Sequence, residues 1–217
     1  MERLPTPPCV QGLPVLGNFW EYYRQPESLL SRGFRQHGRI FSLRIGPRRA
    51  AVLIGPPGAG KSAVGPLLAD RLGVEFRDTD AEVGAAAGKP VGDVFIENGE
   101  EAFRDLEHEA ATSALSALRE HGGVLALGSG AVLDAGIQSL LEGLPVVYLS
   151  ADFGTLARRI GLDRPRVVVP GNPRGRLRAM LDERVAIYQR LAAVTVPTDD
   201  LDPDEIADQI AAEITKK

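Results

Sequence analysis

The sequence predicts an α/β domain, a parallel β-sheet with helices on both faces, behind an N-terminal appendage. Three observations carry this. From residue 50 onward, short continuous apolar runs alternate with amphipathic stretches of helical length, the pattern of strands buried between helix layers. The first run leads straight into Gly55-Pro56-Pro57-Gly58-Ala59-Gly60-Lys61-Ser62, which fits G-x-x-x-x-G-K-[ST] at every fixed position. The charge also changes sign there. Residues 1–49 carry eight arginines and three acidic residues, net +5, whereas 50–217 carry 17 basic and 26 acidic residues, net −9. Six of the twelve aromatics (Phe19, Trp20, Tyr22, Tyr23, Phe34, Phe41) lie in the first 49 residues. The expected division is an appendage over 1–49, without a complete fold of its own, and a domain over 50–217.

The elements follow in order. "AAVLI" (50–54) is a buried-type strand. Residues 60–73 read as a helix ended by Gly73, with Pro66 removing the backbone bond to Ser62 and bending it. "VEF" (74–76) is a short strand. Residues 91–98 and 99–120 are two helices, the second strongly charged on one face. "GVLALG" (123–128) and "PVVYLS" (145–150) are strands buried on both sides. Residues 152–160 and 173–192 are helices and "VTV" (194–196) is the last strand. Residues 202–214 close the chain as a helix capped by Asp202. One strand is claimed twice: "FSLRI", a turn at Gly46-Pro47 and "AAVLI" also read as a hairpin, but the phosphate loop leaves the end of "AAVLI" directly, so the strand is assigned to the parallel sheet and "FSLRI" is expected not to pair beside it.

Composition narrows the function classes. No apolar run has the length of a membrane span, and the Pro-rich start has no apolar core of a signal peptide, so cytoplasmic residence is expected. A lone cysteine, Cys9, excludes an internal disulfide framework or a cysteine-cluster metal site. The acidic domain argues against nucleic acid as a partner.

The phosphate loop carries the first chemistry. Its glycines let successive backbone N–H groups face one anion, and the helix that starts there adds its positive end. Gly58, Ala59, Gly60, Lys61, Ser62 and Ala63 would wrap the phosphates of ATP. Lys61 would bridge the β- and γ-phosphates, and the Ser62 hydroxyl would ligate Mg²⁺. Asp78-Thr79-Asp80 follows the second strand, at the sheet edge where such folds bind ligands. Two carboxylates there can hold a metal-bound water and orient a substrate hydroxyl. The plainer reading is a helix N-cap before "DAEVGAAAG".

From about residue 51 to 214 the chain resembles bacterial shikimate kinase. "GPPGAGKS", "DTD", "EEAFRDLE" and "LGSGAV" carry the resemblance, in that order and at family spacing, with "RP" at 164–165 and "ERVAIY" at 183–188 in support. The resemblance implies a P-loop kinase of the nucleoside-monophosphate-kinase type with strand order 2-3-1-4-5. It implies transfer of the γ-phosphoryl of ATP to the 3-hydroxyl of shikimate with Mg²⁺, by a monomer. Asp80 resembles the aspartate that binds the shikimate hydroxyls and acts as base, and Asp78 the one that supports Mg²⁺ through water. Arg104 and Arg184 resemble the pair that clamps the shikimate carboxylate, with Glu107 holding Arg104. Gly128, Ser129 and Gly130 stand where the family's glycines face that carboxylate. Arg164 resembles the lid arginine that closes on the phosphates. Val91, Phe95, Phe103 and Pro165 would floor the ring. The chemistry suits such a substrate, because arginine meets a carboxylate with two parallel hydrogen bonds. A water-excluding lid would also limit wasteful hydrolysis. Arg174, Arg176 and Arg178 read instead as solvated helix faces.

Three departures from the family pattern imply lower affinity, not another reaction. Ser129 replaces the middle of three glycines; Asp199, Asp200 and Leu201 stand where an arginine near the adenine is usual; "RPRVVV" follows the lid position. Two other readings stay open. One is another small-molecule P-loop phosphotransferase, of the gluconate or nucleotide kinase type, which would lack a joint need for Arg104 and Arg184. The other is a fusion that binds nucleotide without turnover.

The first 55 or so residues resemble the N-terminal part of a haem-thiolate cytochrome monooxygenase. There "GLPVLGN" leads to a helix ending at "HG" and then to the hairpin form "IFSLRIGPRRAAVL". No Phe-x-x-Gly-x-x-x-Cys-x-Gly haem loop follows, so neither haem nor oxygen chemistry is implied. The expectation is an arm outside the domain, with self-association through its aromatics.

Overall fold

Both edges of Ala50–Ile54 (β1) are hydrogen-bonded. In the computed structural model, which describes residues 24–37, 49–88, 91–162 and 172–215, β1 lies parallel between Gly123–Ala126 (β3) and Val146–Ser150 (β4). Val52 stands opposite Leu125 on one side and Val146 on the other. Phe76–Asp78 (β2) extends the sheet beyond β3, and Val194–Pro197 (β5) beyond β4, giving the order 2-3-1-4-5. The assignment of "AAVLI" to the centre of the parallel sheet, and not to a hairpin, is thereby borne out, since neither edge of β1 is left for an antiparallel partner. "FSLRI" itself lies outside the described residues.

Helices connect the strands. Lys61–Leu72 (α2) leaves the phosphate loop, runs on through Pro66 and ends at Gly73 in the left-handed conformation (φ 66°). Thr79–Ala87 (α3) is capped by Asp78. Val91–His121 (α4) is two helices joined at Gly99, whose φ of 84° no ordinary helical residue adopts; the two helices read from the sequence meet there. A 3₁₀ turn (Ala131–Leu133) and Ala135–Leu141 (α5) follow β3. Phe153–Arg159 (α6), Pro173–Leu191 (α7) and Pro203–Thr215 (α8) complete the layers. Asp202 caps α8 by accepting from the Asp204 N–H (3.0 Å), while Glu205 reaches back to the Asp202 N–H (3.1 Å), a reciprocal capping box.

Alternation along the central strands divides the core in two. Ala51, Leu53, Val147 and Leu149 face a cluster with Val64 and Leu68 of α2, Leu156 of α6 and Ile206 and Ile210 of α8. Val52, Ile54, Val146 and Tyr148 face Ala111 and Leu115 of α4, Ile137 of α5 and Tyr188 of α7. Every β1 residue is buried, as a strand with helices on both faces requires. Strand β2 is the exception to the apolar pattern, starting two residues later than "VEF" suggests. Among the described residues only one of its edges pairs, and its residues are half-buried, so Arg77 and Asp78 are tolerated in it.

Residues 1–48 and 49–217 form two units. In the first, the described residues make the helix Pro26–His37 (α1), with Leu29 and Gly33 buried and Leu30 and Phe34 exposed. Among the described residues no helix is long and apolar enough to cross a membrane.

Candidate functional site

The phosphate loop joins β1 to α2 at the C-terminal edge of the sheet. Gly58 (φ 81°) and Gly60 (φ 100°) hold backbone shapes that side chains resist. Lys61 is buried, and its ammonium donates to the Gly55 carbonyl (2.8 Å) and the Pro56 carbonyl (3.3 Å), so the loop grips its own cation. Burial pushes this ammonium below its ordinary pKa, and the Asp80 and Asp78 carboxylates pull it back.

Asp78 and Asp80 end β2 and open α3. Asp78 does two things at once. One oxygen caps α3, accepting from the Asp80 N–H (3.0 Å), and the other accepts from the Ser62 hydroxyl (2.6 Å). Capping and ligand-side readings of this motif are therefore compatible. Ser62 and Asp78 offer two adjoining oxygens beside Lys61, a donor set that suits a hard cation taking its remaining ligands from phosphates and water. Among the described residues no group of three or more His, Cys, Asp and Glu is placed to hold a metal ion by itself. Burial raises the Asp80 carboxyl above its ordinary pKa; the Lys61 charge opposes this, and Asp78 and Glu107 add to it.

A second loop, Gly128–Gly130, closes on the first. Buried Thr79 accepts from the Gly128 N–H (2.8 Å), tying the loop to the start of α3. Close approach explains two glycines there. A Cβ on Gly128 would stand 2.8 Å from an Asp80 oxygen and 2.9 Å from Glu107, and one on Gly130 would collide with the Arg104 guanidinium. Arg104 donates to Glu107 (2.6 Å), one helical turn on, and lies over the Phe103 ring. From the opposite side, Arg184 donates to the Ser129 carbonyl (3.2 Å). The two arginines expected to act together thus flank one loop, with Asp80 and Glu107 beside it. Arg164 and Pro165 lie outside the described residues, as do the side chains of Val91 and Phe95.

Two participants escaped the sequence reading. Arg159, in the last turn of α6, donates to the Gly58 carbonyl (3.2 Å) and to the Thr198 hydroxyl (2.9 Å) and carbonyl (2.5 Å). It braces the phosphate loop against the turn after β5, where Asp199 accepts from the Asp152 N–H (2.8 Å). The basic pair that ends α6 was the available signal. Tyr188 donates to the Ser129 carbonyl (2.8 Å), and its place inside "ERVAIY" pointed only to packing.

Comparison with known proteins covers the same stretch. Residues 57–215 match the family described as shikimate kinase. The shikimate kinase of Thermobifida fusca (strain YX) is 53% identical over 167 residues, 77% of this chain and 95% of the relative. That of Saccharopolyspora erythraea is 46% identical over 166 residues, 76% and 93% respectively. Among solved structures, the shikimate kinase from Acinetobacter baumannii in complex with shikimate superposes with a TM-score of 0.70 at 31% identity, covering 86% of this chain and 97% of that one. The Aquifex aeolicus enzyme, at 24% identity and a TM-score of 0.64 over 76% of this chain and 96% of that one, shares the fold. Family pattern, relatives and fold agree over the residues that build both converging loops, and on that agreement the chain belongs to the shikimate kinase family.

Proposed function

We propose that this chain transfers the γ-phosphoryl group of ATP to the 3-hydroxyl of shikimate, giving shikimate 3-phosphate and ADP, a step of aromatic amino-acid biosynthesis. The observation that carries the reading is the convergence of Asp80, Glu107 and Arg104 on the Gly128–Gly130 loop, within reach of the phosphate loop through Ser62 and Asp78.

Gly58 to Ala63 receive the phosphates with backbone N–H groups, and Lys61 exchanges its two loop carbonyls for phosphate oxygens. Ser62 would hold Mg²⁺ and Asp78 would support it through water; when bound, the ion would supply positive charge to neutralise the phosphates. Arg104 and Arg184, with Gly128, Ser129 and Gly130 between them, take the shikimate carboxylate, and Glu107 keeps the Arg104 fork aimed. Asp80 orients the 3-hydroxyl and accepts its proton as the oxygen bonds to the γ-phosphorus and the bond to the ADP oxygen breaks. Arg164, by its match to the family's lid arginine, would add charge neutralisation at the phosphates. Positioning and charge neutralisation do most of the work, as phosphoryl transfer requires.

The kinase unit is residues 49–217, one residue longer than the sequence division, working as a cytoplasmic monomer with no nucleic-acid partner. Residues 1–48 are an appendage whose cytochrome-like pattern brings no chemistry, and exposed Leu30 and Phe34 make it a point of self-association. A coupled assay of ADP formation tests the reading. ADP should form with shikimate and stay near background without it. Equal ADP formation with and without shikimate, or with gluconate or a nucleoside monophosphate in its place, would overturn the assignment.

A further inference from the structure

Resting on the function just proposed, we infer that Tyr188 is a positioning residue for the substrate carboxylate: its hydroxyl fixes the Ser129–Gly130 peptide group so that the Gly130 N–H points toward Arg104. Tyr188 lies one helical turn beyond Arg184 on α7, so both side chains leave the same face. It is fully buried and stacks on Tyr148, with ring centroids 5.2 Å apart. Its hydroxyl donates to the Ser129 carbonyl at 2.8 Å, and Arg184 donates to the same oxygen at 3.2 Å. Those two donors match the two lone pairs of one carbonyl, which fixes its direction.

Planarity transmits that direction. The described backbone holds no cis peptide, and in a trans peptide the C=O and the following N–H point opposite ways. The Ser129 carbonyl is drawn toward α7, so the Gly130 N–H faces away from α7; a Cβ at Gly130 would meet Arg104 and Glu107, so both side chains lie against this residue. Gly130 is buried, and among the described residues nothing accepts from its N–H. A buried donor without an acceptor beside a guanidinium suits a carboxylate. Burial also holds the Tyr188 phenol far above its ordinary pKa, so it donates at any working pH. The same bond sets where Arg184 rests before substrate arrives. Tyr188 touches no substrate itself and acts through Ser129, Gly130 and Arg184.

Tyr188→Phe removes only the hydroxyl, and Tyr148→Phe makes the matching change in its stacking partner, which has no hydrogen bond to that loop among the described residues. Steady-state kinetics on the full chain should give Tyr188→Phe a KM for shikimate raised roughly threefold to tenfold, the range of one lost hydrogen bond. KM for ATP and the melting temperature should stay close to the parent values, and Tyr148→Phe should match the parent. Equal KM values for shikimate in the two variants, or parallel rises for shikimate and ATP with a lowered Tm, would overturn the inference. Should Tyr188→Phe fail to fold, hydrogen exchange on the parent chain decides. Shikimate should protect the amide of Gly130, and absence of protection at saturating shikimate sinks the placement. A parent chain with no shikimate-dependent ADP formation would instead overturn the functional reading beneath it. A parent that turns over, an Arg184→Ala variant with raised KM for shikimate and an unaffected Tyr188→Phe would leave that reading standing and remove this one.

Discussion

Asp80 is held by opposing forces, and its titration should show them. Burial favours the neutral acid, the Lys61 ammonium favours the carboxylate, and the Asp78 and Glu107 charges again favour the acid, with a net rise. A base works only when deprotonated. Activity should therefore fall as pH drops through the raised pKa, and the acid limb of kcat/KM for shikimate should lie above the ordinary aspartate value of about 3.9. A limb at or below that value would mean that another group limits turnover. Asp80→Asn should lower kcat about 10²- to 10⁴-fold while ATP affinity, measured by equilibrium binding, changes only a few-fold. Near-normal kcat in that variant would take the proton-accepting role away from Asp80. The residue types at this site were legible because a few fixed positions carry the chemistry, as in the phosphate loop and "DTD". Arg159 and Tyr188 were not, since each meets its loop across a long stretch of chain, and no local spacing encodes such a meeting.

At the scale of elements, α2 and β2 show how packing fixes the site. The Ser62–Asp78 hydrogen bond joins the two, so their separation sets the distance between phosphate loop and carboxylates. That separation depends on Gly65. A Cβ there would stand 2.7 Å from the Phe76 ring tip and closer still to its edge. Helix propensity alone favours alanine over glycine by about 1 kcal/mol, whereas overpacking of this kind costs about 1–3 kcal/mol. Gly65→Ala should thus destabilise the fold by about 1 kcal/mol, read as a lower urea midpoint with an unchanged slope. An unchanged midpoint would show that Phe76 yields without cost. Sequence patterns found the elements that obey one period and missed those that do not. The buried strands β1, β3 and β4 were plain as continuous apolar runs. Strand β2 was displaced by two residues, because an edge strand carries Arg77 and Asp78. The short α5 went unread, because its interrupted apolar pattern makes sense only once Asp134 caps it (2.9 Å to the Ile137 N–H).

For the whole molecule, the question is where the kinase begins, and the hydrogen bonds of Arg49 answer it. Its carbonyl accepts from the Gly123 N–H (3.0 Å), which makes it the first group joined to the β1–β3 ladder, and its guanidinium donates to the Leu72 carbonyl at the end of α2 (3.1 Å). The next residues, Ala50 and Ala51, already pair with Gly123 and Val124. The break between the two units falls one residue earlier, between Arg48 and Arg49. The charge reversal and aromatic clustering of the sequence fall at almost the same point. Brief trypsin treatment should therefore cut at or before Arg48 and leave a fragment of 49–217, identified by intact mass. A chain with residues 1–48 deleted should keep shikimate-dependent ADP formation within about twofold, since no catalytic group is assigned to the removed segment. A deletion reaching Ala51 should behave quite differently. It removes two residues from the strand that feeds the phosphate loop, strips α2 of its tie to Arg49, and exposes apolar surface on both sides of the central strand; at about 25 cal/mol per Å² that loss is a large part of a domain's marginal stability. Soluble, active protein from the longer deletion, or inactive protein from the shorter one, would place the boundary elsewhere and make the N-terminal segment part of the enzyme.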